Sequence, residues 1–255
     1  MAIETHLFRC RSDNYGVLIR DTATGAVAAI DAPETSTVEA ALQAKGWKLT
    51  DILVTHHHAD HTDGIADLKK KYQCRVVAPL AEVGKIALVD ETVREGDKVR
   101  VGNLEANVIE TPGHTAGHIT YWFHGDKIAF AGDTLFSIGC GRVIEGTMEM
   151  MWDSLKKLRD LPGDTKVYCG HEYTLANIKF AQSIEPDNKA LIARAAQAAK
   201  QIAAGEPTIP TTLDEEKAAN VFLRADVAAV AAAVGLAGKS AAEVFAEIRT
   251  RKNKF

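Results

Sequence analysis

The sequence predicts an α+β fold, with a strand-rich region over residues 1–171 and a smaller all-helical region over 172–255. Three observations carry that reading. Short apolar runs, each stopped by glycine or a polar turn residue, recur through the strand-rich region. Glycine is frequent there, as sharp turns between strands require. Beyond about residue 172 helical spacing and alanine-rich stretches take over.

The elements follow in order. Val27-Ala28-Ala29-Ile30 reads as a strand ending at Asp31, and Ile52-Leu53-Val54 as a second. Ile65, Leu68 and Tyr72 have helical spacing, with Thr62 or Asp63 as the expected N-cap. Strands are expected over Asn107 to Thr111, Lys127 to Ala131 and Lys166 to Cys169. In the helical region a first helix is expected over Glu172 to Ile184, ended by Glu185-Pro186. Another is expected over Asp187 to Ala204, ended by Gly205. After a loop with Pro207 and Pro210, further helices run from about Asp214 to Arg251.

The 255 residues suffice for one large domain or two modest ones. Hydrophobic residues are 46%, charged residues 25% and the net charge −4, so no basic excess points to a nucleic-acid partner. The N-terminal residues have no signal-peptide core, and no apolar run is long enough to span a membrane; a cytoplasmic protein is expected. Cys10, Cys74, Cys140 and Cys169 form no C-x-x-C pair and read as reduced thiols.

The most informative segment is Thr55-His56-His57-His58-Ala59-Asp60-His61, directly after the strand at 52–54. In extended backbone, side chains at i and i+2 share a face, so His56 and His58 can serve one ion while His57 points elsewhere. Asp60 and His61 fall where the chain turns and can aim differently, which suggests two ions. His114, Asp133 and His171 each follow an expected strand with glycine nearby. Ligands gathered from strand ends form one rigid site, suited to catalysis. Taken singly, a histidine or aspartate after a strand is more often structural; combination and order raise the case. His118 fits packing or support of a ligand, and Asp31 fits either a turn or an acceptor that fixes an imidazole. His6 and His124 have no such context.

These residues resemble the metallo-β-lactamase superfamily and, within it, the glyoxalase II or hydroxyacylglutathione hydrolase family. The resemblance runs through Asp13-Asn14-Tyr15, Thr55 to Gly64, Thr111 to His118, Gly132-Asp133-Thr134-Leu135-Phe136 and Gly139-Cys140-Gly141-Arg142. It continues through Gly170-His171-Glu172-Tyr173-Thr174, Glu185-Pro186-Asp187-Asn188, Asn220 to Arg224 and Arg249 to Phe255. It implies an αββα sandwich, the catalytic domain at 1–171, and a glutathione-binding helical domain at 172–255. It also implies two divalent ions, zinc in the first place, with iron or manganese as alternatives. His56, His58 and His114 would hold one ion, Asp60, His61 and His171 the other, and Asp133 both. Asp60 and Asp133 would serve catalysis with a hydroxide that bridges the metals.

Arg142, Tyr173, Arg249 and Lys252 stand at the family's glutathione-binding positions. Ile144 replaces a tyrosine of some relatives, and Asn253 an aspartate. The implied activity is hydrolysis of S-D-lactoylglutathione to D-lactate and glutathione by a monomer acting on a small molecule, without nucleic acid or membrane. The same superfamily offers a single-iron glutathione persulfide dioxygenase and a lactonase as alternatives. The complete set of seven ligands and the basic tail favour the hydrolase.

Overall fold

The computed structural model describes residues 3–255, which form two compact units. The first runs through Glu110 and resumes over Thr115–Gly132; the second comprises Thr111–His114 and Asp133–Phe255.

In the first unit, β1 (Ile3–Cys10) and β2 (Asn14–Asp21) form an antiparallel hairpin in the register Cys10 opposite Asn14. β3 (Val27–Ile30) pairs antiparallel with β2. The chain then crosses through α1 (Thr35–Lys45) to β4 (Asp51–Leu53), which runs parallel to β3. Gly46 ends α1 in the left-handed conformation at φ 64°, its N–H satisfying carbonyls of the last turn. A short turn of helix, α2 (Ala59–Thr62), and α3 (Ile65–Tyr72) lead to β5 (Arg75–Pro79) and β6 (Glu91–Val93), again parallel. Parallel central strands are covered on both faces, and Ile52, Leu53, Val54, Val76 and Val77 are accordingly buried. Val38 and Leu42 of α1 and Ile65 and Leu68 of α3 pack with Leu18, Ile52 and Val76 into the core.

A second layer of antiparallel strands follows: β7 (Lys98–Val101), β8 (Leu104–Glu110), β9 (Ile119–Phe123) and β10 (Ile128–Phe130). Its contact with the first layer is specific. The buried hydroxyl of Tyr121 on β9 donates to the Val54 carbonyl at 3.0 Å, and the Ile119 amide donates to the Thr55 carbonyl at 3.0 Å. The backbone just beyond β4 is thereby held from the facing layer.

The second unit opens with a two-residue-per-strand hairpin, β11 (Leu135–Phe136) and β12 (Gly139–Cys140), then α4 (Met148–Arg159) and β13 (Lys166–Tyr168). α5 (Thr174–Gln182) and α6 (Lys189–Ala203) follow, the latter capped by Asn188, whose side chain accepts from the Ala190 and Leu191 amides. β14 (Thr211–Thr212) pairs with β13 and runs into α7 (Leu213–Ala219); α8 (Ala228–Ala233) and α9 (Ala241–Lys254) complete the chain. Capping boxes, Thr212 with Glu215 and Ser240 with Glu243, start α7 and α9.

The structure corrects one local expectation. Neither Thr62 nor Asp63 caps the helix after the histidine cluster: α3 starts from Gly64 without a side-chain cap. Thr62 donates instead to the His58 carbonyl at 3.0 Å, and Asp63 pairs with Arg11. No helix among the described residues is long and apolar enough to cross a membrane.

Because Ile52 is fully buried on a central strand, Ile52→Ala is expected to cost about 3 kcal/mol of unfolding free energy. Denaturant melts should show a lower midpoint with an unchanged slope.

Candidate metal centre

In the first unit the ligand-type residues follow β4. The Asp31 carboxylate, just after the parallel neighbour β3, accepts from the Thr55 amide at 2.7 Å and the Thr55 hydroxyl at 2.8 Å. It accepts a third bond from His61 Nδ1 at 2.7 Å. That bond places the His61 proton on Nδ1 and leaves Nε2 as a lone-pair donor. The Thr55 hydroxyl has spent its proton on Asp31, so its oxygen accepts from His56 Nδ1 at 3.0 Å. His56 likewise keeps a free-electron-pair Nε2, 3.2 Å from His58 Nδ1.

His57 turns away, as alternation in extended backbone requires. Its amide and Nδ1 both donate to Glu82 Oε2, at 2.7 and 2.8 Å. The turn at α2 aims Asp60 and His61 differently, with Asp60 Oδ2 3.8 Å from His61 Nε2. Asn14 donates at 3.1 Å to both the Asp60 carbonyl and Oδ2, which fixes that carboxylate. The unit thus presents two pairs of ligand-type residues: His56 with His58, and Asp60 with His61.

In the second unit Thr111–His114 is anchored at several points. Thr134 Oγ1 donates to the Thr111 carbonyl, Ser154 Oγ to the Pro112 carbonyl, and the Gly146 amide to the Gly113 carbonyl. Gly113 stands at φ 145°, and a Cβ there would lie 2.8 Å from Met151 Cβ, so no larger residue fits. His114 Nδ1 donates to the Arg142 carbonyl at 2.8 Å, again leaving Nε2. That Nε2 lies 3.4 Å from Asp133 Oδ2, and His171 Nε2 lies 3.3 Å from the same oxygen. All three side chains are buried.

These spacings suit a metal. Ligands about 2.0–2.1 Å from a tetrahedral ion sit roughly 3.3–3.4 Å from each other. Imidazole nitrogens with the far nitrogen hydrogen-bonded, together with carboxylate oxygens, form a donor set that takes zinc, iron or manganese. Asp31, His56 and His61 also bring ligand-type atoms within 4.8 Å of one another. Asp31 already accepts three hydrogen bonds, however, one of them from His61, whose ring it orients.

The residues expected to bind substrate are all in the second unit. Tyr173 is partly exposed and its ring stacks on His171, centroids 4.9 Å apart and planes at 3°. Lys252 donates to the Ala176 carbonyl at 2.9 Å and lies over the Phe180 and Phe255 rings. Burial, with the Arg249 charge beside it, holds the Lys252 ammonium below the usual lysine range. Arg249 is buried, donating to the Cys140 carbonyl at 2.8 Å and to Asn253 at 3.2 Å, with its guanidinium over Phe222. Asn253 thus pairs with Arg249. Arg142 is exposed, and so is Ile144.

Sequence reading missed Asn14 and Glu82. Asn14 sits inside a recognised motif but contacts Asp60 across 46 residues. Glu82 lies on a 3-10 turn with no motif around it; its second oxygen accepts from the Gly117 amide at 2.9 Å. His118 is fully buried with its ring 4.9 Å from that of His56, against which it packs. All four cysteines are free and buried, and burial pushes the Cys140 thiol up to about 11 and that of Cys169 to about 12.

Comparison with known proteins covers the whole chain. Residues 7–171 match the metallo-β-lactamase superfamily, and residues 172–255 match the family described as the hydroxyacylglutathione hydrolase C-terminus. The chain is 65% identical over 253 residues to a hydroxyacylglutathione hydrolase of Rhodopseudomonas palustris strain BisB5, covering 99% of each. The crystal structure of ETHE1 from Myxococcus xanthus superposes with a TM-score of 0.70 at 30% identity, covering 99% of this chain and 92% of the other. TTHA1623, solved in a di-iron-bound form, gives 0.56 at 25% identity over 62% of this chain and 87% of the other.

Asp31→Asn replaces an acceptor facing His61 or Thr55 with a donor. Metal affinity is expected to fall about 10–100-fold, which competition with a chromogenic chelator measures.

Proposed function

The chain belongs to the hydroxyacylglutathione hydrolases of the metallo-β-lactamase superfamily, and on that premise we propose how its residues hydrolyse a glutathione thioester. The activity is metal-dependent cleavage of S-D-lactoylglutathione to D-lactate and glutathione, the second step of methylglyoxal detoxification. The observation that carries the binuclear reading is the single Asp133 oxygen set about equally from the His114 and His171 nitrogens. We take that placement as support for a ligand shared by two ions.

His56, His58 and His114 would hold one ion, and Asp60, His61 and His171 the other, with Asp133 common to both. Zinc is the proposed metal, and iron and manganese fit the same donors. Two such ions, when bound, supply a water acidified to a pKa of about 7 and an electrophile for the thioester carbonyl.

The chain's own residues do the rest. Asp60, its carboxylate fixed by Asn14, holds a proton of the attacking water and so orients its lone pair. Asp31 and the Arg142 carbonyl keep the His61 and His114 protons on Nδ1. A thiolate leaves without a general acid, which accords with the lack of any side chain assigned to that task. Lys252 offers a point charge and Arg142 a planar fork to the carboxylates of glutathione. Tyr173, stacked on His171, bounds the acyl end. Arg249 contributes its field and the position of Lys252. We assign the chemistry to residues 1–171 and glutathione recognition to 172–255 together with Arg142, in a monomer of the cytoplasm. The dioxygenase and lactonase alternatives are not favoured: relatives at 60–65% identity over the full length carry the hydrolase name.

Two tests follow. Purified protein carrying two ions per chain should hydrolyse S-D-lactoylglutathione, followed by loss of thioester absorbance. Asp133→Ala should bind fewer ions and lose at least about 100-fold in kcat. Wild-type protein with two ions and no turnover would reject the substrate, and Asp133→Ala with two ions would reject the shared ligand.

Lys252 gives a pH signature. Its ammonium is held below the usual lysine range by burial and the Arg249 charge, so it discharges earlier than a free lysine as pH rises. The inhibition constant of a non-hydrolysable S-alkylglutathione should therefore rise on the alkaline side. Lys252→Arg, which keeps its charge, should flatten that rise; an unchanged profile would remove Lys252 from the binding site.

A further inference from the structure

The β11–β12 hairpin joins the proposed shared ligand Asp133 to Arg142, whose carbonyl orients His114. Its own pairing is only two residues per strand. Its turn is costly: Ile138, fully buried and β-branched, stands at φ 56°. A backbone in that state persists only where its surroundings hold it.

The holders are polar side chains from the helices of the same unit. Glu216 of α7, fully buried, accepts from the Ile138 amide at 2.9 Å. The same oxygen accepts from Asn220 Nδ2 at 2.9 Å, and the other from the Thr211 hydroxyl at 2.8 Å. Asn220 also donates to the Gly139 carbonyl at 3.0 Å. Asn177 of α5 donates to the Ser137 carbonyl at 3.2 Å, and Arg194 of α6 to the Ser137 hydroxyl at 3.0 Å. Arg249 of α9 closes the set on the Cys140 carbonyl. A Cβ on Gly139 would lie 2.6 Å from the Asn177 amide carbon, so the approach leaves no slack. Backbone polar groups from Ser137 to Cys140 are thus satisfied by side chains remote in sequence, where longer hairpins would use strand pairing.

We propose that Glu216 is a positioning residue: with Asn177 and Asn220 it clamps the strained hairpin, and through it sets Asp133 and the Arg142 carbonyl for metal binding. The helical region then has a task besides substrate recognition. The link to metal rests on the binuclear reading above; the clamp itself does not. Burial pushes the Glu216 carboxyl up, against three hydrogen bonds and the Arg194 charge. A neutral amide can therefore take its place. In Glu216→Gln the amide oxygen can face Ile138 and Asn220 while the nitrogen donates to the Thr211 hydroxyl, which can accept.

The test compares Glu216→Gln, Glu216→Leu and Asn177→Ala in the full-length metal-loaded chain. It reads amide hydrogen exchange over residues 134–141, ions per chain, and kcat and KM for S-D-lactoylglutathione. Glu216→Leu should lose exchange protection over the hairpin and fall about 10–100-fold in metal affinity and kcat, with KM little changed. Glu216→Gln should restore most of the loss. Should Glu216→Leu fail to fold, Asn177→Ala carries the test, with the same changes at smaller size. Wild-type exchange and metal content in a folded Glu216→Leu or in Asn177→Ala would overturn the clamp, as would a Glu216→Gln as impaired as Glu216→Leu. Absence of two ions from the wild type would instead overturn the binuclear reading, and hairpin exchange would still decide the clamp.

Discussion

The order of the ligand-type histidines in the first unit depends on one buried carboxylate. Asp31 stands at φ 58° just past β3, where its amide donates to the Leu53 carbonyl. Its two oxygens collect the Thr55 amide, the Thr55 hydroxyl and His61 Nδ1. A buried carboxylate without partners would cost several kcal/mol, whereas short charge-assisted bonds stabilise it and fix what they touch. Through Thr55 the same carboxylate sets the tautomer of His56. One side chain therefore orients two histidines on different sides of the turn at α2, and the parallel pairing of β3 with β4 puts it there.

The second unit solves the same problem by another means. His114 takes its orientation from a backbone carbonyl, and the loop that supplies that carbonyl is held by side chains from α5, α6, α7 and α9. In both units the ligand-type residues, imidazoles and carboxylates, follow strands. The far nitrogens of His61 and His114 are tied to partners distant in sequence, and that of His56 to its neighbour Thr55. Such ties limit rotation of these side chains, which lowers the ordering cost of anything they bind.

Much of this was legible in the sequence. Period-2 alternation placed His56 and His58 together and sent His57 away, and the structure has both features. The glycines beside His114 and Asp133 marked turns that larger residues cannot make; Gly132 stands at φ 46°, where a Cβ would lie 2.6 Å from His118 Nε2. Asp31 was legible only as a candidate, because an aspartate after a strand serves turns equally well. Asn14, Glu82 and Glu216 were not assigned roles, since each acts on residues 25 or more positions away, through contacts that folding alone creates. The N-cap expected at Thr62 or Asp63 failed because those side chains had better partners in the ligand loop and in Arg11. Burial of Arg249 could not be read from a basic C-terminal run, which on composition alone suggests a solvated end.

The most direct measurement is anomalous X-ray diffraction at the absorption edge of the metal carried by the purified protein. The account predicts two peaks per chain, one among His56, His58 and His114 and one among Asp60, His61 and His171, with Asp133 reaching both. A single peak, or a pair ligated without Asp133, would contradict it.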